Sequence, residues 1–182
     1  MIIRQILGTT GTRVLHAASN LLLLWVATNG LGAEAWGVSG LILLDISLLM
    51  LLADLAGSAL VYYSSRRNLA RLYLLSAGFA MMIVVLASVV FWLMSFQPAL
   101  YHYLVPEGYG LHILALTLIN SLHGFSMYVL LGKGKMQAYN LLFVLQFLLL
   151  LAGLSFFIHI IGIHNEFAFV LALYLSYGVA AI

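Results

Sequence analysis

The chain contains no cysteine. Disulfides, thiolate metal ligands and cysteine nucleophiles are therefore excluded, and the redox state of its compartment leaves no trace. Charge is nearly as scarce. Charged residues are 7% of the 182, where soluble domains carry about a quarter. A soluble fold of this size could not cover its outside with so few, and the 65% hydrophobic share points to lipid as the solvent. With two prolines and no charge-rich tract, there is no room for a disordered tail or a separate soluble domain. One domain over residues 1–182 is expected. The opening MIIRQILGTTGTR is not a good match to a signal peptide, because Arg13 interrupts its apolar stretch and no small-residue cleavage site follows promptly. It reads as a cytosolic lead-in to a first membrane helix.

A helix needs about 20 residues to cross about 30 Å of hydrocarbon. Six segments come close to that length: Gly8–Asn29, Trp36–Tyr63, Ala70–Phe96, Gly108–Leu131, Ala138–Gly162 and Phe167 to the end. Their apolar runs are continuous rather than alternating, which selects helices over barrel strands. The expectation is an all-α integral membrane protein with six transmembrane helices. If the spans alternate, Arg4, Arg66, Arg67, Arg71, Lys133 and Lys135 share one side, and Glu34, Glu107 and Glu166 share the other. The positive-inside bias then makes the N-terminus cytosolic, with Trp36, Tyr101, Tyr103 and Tyr109 in an outer aromatic belt. The last segment has 16 residues, short of a full crossing, and predicts a chain cut within a helix.

An acidic-aromatic-glycine corner occurs twice, as LGAEAWG from Leu31 and LVPEGYG from Leu104. Either a helix-hairpin unit is duplicated, or both outer turns want glycine, an acid and an interfacial aromatic.

Polar residues inside spans cost about 2.5–3.5 kcal/mol when ionisable, so each asks for a reason. Thr9, Arg13, His16 and Asn20 recur at four, three and four residues, one stripe of a helix that faces protein or water. Asp45 and Asp54 lie nine apart, on opposite faces of the second span. If spans one and two fold back about Ala33 and Glu34, Arg13 is level with Asp54, His16 with Leu51 and Asn20 with Ser47. Arg13 and Asp54 are then expected to pair, either as a latch between helices or as a guanidinium offered to phosphate and held by its carboxylate. Asn120 and His123 in span four are further candidates for polar contacts. His112 and His123 share a face about 16 Å apart, too far for one metal, and Gln146 reads as an interhelix contact. No phosphate loop, zinc motif or nucleophile elbow is present, so neither an enzyme nor a cofactor is expected, and the basic residues are not a nucleic-acid footprint.

The opening LGTTGTRVLHAASNLLLLWVATNGLGAEAWG resembles the start of polysaccharide and O-antigen flippases, in the superfamily of multidrug, oligosaccharidyl-lipid and polysaccharide exporters. The corner of Leu31, Gly32, Glu34, Trp36 and Gly37, the small patch Asp54-Leu55-Ala56-Gly57, the basic SSRRNLAR and the segment GKGKMQAYNLL are similar to that family in order, over the whole chain. Two departures stand out. Ala33 replaces the usual corner proline, and six spans match only the first lobe of a two-lobe flippase.

The resemblance implies alternating-access transport of a polyprenyl-pyrophosphate-linked glycan across the bacterial inner membrane, with membrane lipid and a second lobe or second copy as partners. It makes Arg13, His16, Asn20, Asn120 and His123 substrate contacts. Asp45 and Asp54 become ion-coupling groups or parts of a structural ion pair. A multidrug or cation exporter of the same superfamily, and a non-transporting membrane assembly module, are the other readings.

Overall fold

The computed structural model describes the backbone of residues 2–180 and the side chains of residues 10–99 and 101–179. Arg4 and Thr9 lie outside the described side chains. Among the described residues seven α-helices follow in order: α1 (Ile2–Asp54), α2 (Gly57–Tyr63), α3 (Leu69–Met94), α4 (Pro98–Leu104), α5 (Gly110–Gly132), α6 (Met136–Phe156) and α7 (Glu166–Ala180). A π-helical turn, Phe157–Ile161, extends α6. Among the described residues there is no strand.

The 53 residues of α1 are two arms joined at Gly32, whose φ of 82° and ψ of 169° lie outside the helical region. Only glycine adopts that φ without a Cβ penalty. In the first arm His16 meets Phe143 and Phe147, and Gly30 faces Ile158, so this arm runs with α6. In the second arm Ser121 donates to the Met50 sulfur and Tyr128 to Asp54, so that arm runs with α5. α5 and α6 reverse through Lys133–Lys135, with Gly134 at φ 70°, and are tied by His123 and Gln146. The arms of α1 therefore run in opposite senses, as a hairpin.

α3 lies antiparallel to α5. Tyr73 donates to the Leu122 carbonyl at one end, and Phe91 packs on Tyr101 beside Gly110 at the other. Asn68 caps α3 by accepting from the Ala70 amide at 3.0 Å. These registers bring the α2–α3 turn (Arg66, Arg67) and the α5–α6 turn (Lys133, Lys135) to one end of the bundle. Glu34, Glu107 and Glu166 lie at the other.

Among the described residues, four helices are long and apolar enough to cross a bilayer: Thr10–Asp54, Leu69–Met94, Gly110–Gly132 and Met136–Ile161. The six segments expected from the sequence reduce to four on this measure because the first two share α1, and because α7 has only 15 residues, about 22 Å.

The main core sits where α7 meets the others. Ala168, Phe169, Val170, Ala172 and Leu173 are fully buried against Leu150, Leu154 and Ile158 of the α6 arm and Ile42, Ile46, Ile113 and Leu116 of the second arm and α5. Glycines set two close approaches. Gly153 lets α6 lie on the backbone of Ala172, and Gly132 lets the end of α5 touch the Val61 carbonyl and Ser64 of α2.

Candidate functional site

The expected polar stripe begins on the first arm of α1. The His16 ring meets Phe147 edge-on at 3.8 Å between centroids and Phe143 at 5.0 Å, and Tyr139 stacks on Phe143. One turn on, the Asn20 amide donates to His16 Nε2 at 3.4 Å. Arg13 lies one turn earlier and is exposed, as is Asn20. This places a guanidinium, an imidazole and an amide along one helix edge beside an aromatic row on α6. Helical spacing put the three polar groups in line. The rings were missed, because Phe143 and Phe147 in an apolar span look the same whether they face lipid or a polar group.

Arg13 and Asp54 are not brought together by an ion pair. Asp54 instead accepts from the Tyr128 hydroxyl at 2.9 Å. The ring of Tyr128 lies on Gly57, where a Cβ would stand 2.6 Å from it, so the small residue three positions after Asp54 is what admits its partner. The hairpin does put Arg13 and Asp54 at similar depth, but Asp54 turns to α5 while Arg13 is exposed on the arm that runs with α6.

Asp45 occupies the opposite face, nearer the glutamate end of the bundle than Asp54. Its Oδ2 is buried and has no hydrogen-bond partner, and the same holds for the Thr117 hydroxyl on α5. From the Met50–Ser121 contact, Asp45 and Thr117 stand at nearly the same depth on adjacent helices, within about one residue's rise.

α5 carries the other candidates. His123 is buried, and its Nε2 lies 3.0 Å from Gln146 Oε1, the interhelix contact expected of Gln146. His112 Nδ1 lies 3.1 Å from the Tyr174 hydroxyl, with Phe167 beside the ring. Asn120 is half-buried. No three His, Asp or Glu side chains gather into a metal-sized cluster among the described residues.

The repeated corners converge on α7. Trp36 packs edge-on against Phe169 at 5.5 Å, and Tyr109 donates to Glu166 Oε1 at 3.1 Å. Burial, the bond to Glu166 and its negative charge push the Tyr109 hydroxyl up to about 12. Each acidic-aromatic-glycine corner thus supplies the ring that holds the first turn of the last helix.

These features define an all-helical protein with several helices able to cross a membrane. In comparisons with protein-family models, curated proteins and solved structures, nothing matches this chain.

Proposed function

We propose that the chain crosses the bacterial inner membrane six times, with its N-terminus and basic turns in the cytosol. In this reading it is one lobe of a transporter that moves polyprenyl-pyrophosphate-linked oligosaccharide outward for polysaccharide or O-antigen synthesis. Both arms of α1 serve as crossings, and α7 is a short sixth one held inside the bundle. The segregation of Arg66, Arg67, Arg71, Lys133 and Lys135 from the three glutamates supports that orientation.

The observation that carries the transport reading is the line of Arg13, His16 and Asn20 beside Phe143 and Phe147. A lipid-linked glycan brings a flat, partly apolar sugar face, many hydroxyls and an anionic pyrophosphate. Aromatic rings suit the first, amide and imidazole the second, and a guanidinium binds phosphate oxygens in pairs. Asn120, half-buried on α5, offers a further amide to the sugars, whereas His123, expected as a substrate contact, is buried against Gln146 and steadies the α5–α6 pair behind them. Alternating access follows if this lobe rocks against a second one, another copy or another chain, with the polar edge between them. The protein moves its substrate without breaking bonds, so it is not an enzyme.

Arg13→Ala tests the assignment in cells that depend on the protein for surface polysaccharide. With expression preserved, surface polysaccharide falls at least tenfold and Arg13→Lys restores part of it. Undiminished polysaccharide removes the phosphate role.

A cation exporter is the second reading, and Asp45 favours it, since a buried carboxylate oxygen without a partner suits a cation. Efflux of cationic dyes lost in Asp45→Asn, with polysaccharide unchanged, would select it.

A further inference from the structure

α2 and α3 leave the turn at 64–68 as the two walls of a groove of about 180 Å³. Ala56, Ala59 and Leu60 form one wall, and Leu72, Leu75 and Phe79 the other. The lining asks for no polar ligand, because its one aliphatic hydroxyl, Ser76, already donates to the Leu72 carbonyl at 2.9 Å. From Ala56 to Tyr63 the groove runs for about 10 Å along α2. A chain of methylenes fits this shape and chemistry.

The chain that joins the two walls at the Tyr63 end of the groove is cationic. Tyr63 stands there, Arg66 and Arg67 follow in the turn, and Arg71 sits in the first turn of α3. The Arg66 guanidinium lies 4.2 Å over the Tyr62 ring and donates to its hydroxyl, which fixes one cation in place. Arg67 and Arg71 are exposed. The carboxylates do not neutralise them. Glu34, Glu107 and Glu166 belong to the far end, and Asp54 is engaged by Tyr128. Because Gly132 lets α5 touch α2 at Val61 and Ser64, Lys133 and Lys135 are held near the same end.

We infer that this groove binds one anionic phospholipid, with an acyl chain between α2 and α3 and the phosphate on Arg67 and Arg71. A zwitterionic lipid fills the groove but brings no net charge to the arginines. A free anion meets the arginines but leaves the groove empty. An anionic lipid of the adjoining leaflet satisfies both features. The inference needs only a membrane around the bundle and does not depend on the transport reading.

The test uses the full chain in detergent, equilibrated with mixed micelles of phosphatidylglycerol and phosphatidylcholine, with bound lipid read by native mass spectrometry. The wild-type protein is expected to retain one phosphatidylglycerol about tenfold over phosphatidylcholine. Arg67→Gln with Arg71→Gln abolishes that preference, and the two Lys replacements keep most of it. Ala59→Trp fills the groove and loses the lipid with both arginines present and helicity unchanged by circular dichroism. Should that variant not fold, Leu75→Asn, at an exposed position on the opposite wall, is expected to weaken retention in the same way. Equal retention of the two lipids overturns the inference. So does a preference that survives the Gln pair, or full displacement by inorganic phosphate, which would mark a free-anion surface.

Discussion

α3 and α7 are both apolar helices, yet the fold treats them as opposites. α3 has 26 residues and buries only Ser76, Ala80, Ile83 and Ala87. That narrow stripe recurs at four, three and four, with Leu74, Leu86 and Trp92 left outside. α7 has 15 residues and buries Ala168, Phe169, Val170, Ala172, Leu173, Ser176 and Tyr177. In lipid, leucine is as well solvated outside as inside, so apolar composition does not decide which helix is central. Small residues do. Ala172 meets Gly153 of α6 closely enough for backbones to approach, and α7 gains neighbours around most of its circumference, with only Phe167, Leu175 and Val179 exposed among its described side chains, whereas the small residues of α3 serve one face only.

Core truncation is expected to separate the two helices most. Phe169 is 0% exposed, and Phe169→Ala should cost about 3–5 kcal/mol. Leu74 is 74% exposed, and Leu74→Ala should stay within about 0.5 kcal/mol. Reversible unfolding in mixed detergent micelles measures both, and equal losses would erase the distinction.

Glycine substitutions sharpen it next. Gly132→Ala drives a methyl into the Val61 carbonyl and should cost about 2–3 kcal/mol. Gly78→Ala on α3 meets nothing within 4 Å and should be neutral or stabilising by up to about 1 kcal/mol. A Gly78 variant as damaged as the Gly132 variant would mean that α3 has a partner on its outer face.

Polar couplings follow. A double-mutant cycle on His123 and Gln146 should give about 0.6–1.7 kcal/mol of interaction. Ser88 on α3 donates only to its own Val84 carbonyl at 2.7 Å, so Ser88→Ala should change little.

The smallest effect is alkaline. Tyr109 is raised from about 10 to about 12, so its bond to Glu166 contributes fully below pH about 10 and is lost as pH climbs toward about 12. Tyr109→Phe should be slightly less stable than wild type at pH 8, and the difference should shrink above pH 10. A constant difference would assign the effect to packing rather than to the hydroxyl.

Much of the bundle was legible in the sequence because depth along a helix is a one-dimensional quantity. A rise of about 1.5 Å per residue and a turn near Gly32 suffice to put His16 level with the Met50–Leu51 region and Arg13 level with Asp54. Lateral neighbours are not fixed that way. Asp54 reaches Tyr128 across 74 positions because Gly57 leaves room for a ring, and no local spacing announces that. His16 finds Phe143 and Phe147 for the same kind of reason. The repeated corner was visible as a pattern, but its use, two rings closing on α7, depends on where the last helix lies.

By itself, the sequence determined that the chain is helical, apolar and segregated in charge, because composition, run length and the positions of Arg, Lys and Glu are local properties. Only the tertiary structure decided that the 15-residue α7 is more enclosed than the 26-residue α3, that Asp54 answers to a tyrosine, and that a groove opens beside the arginines. Those outcomes depend on how closely two backbones approach. That distance is set jointly by small residues far apart in the chain.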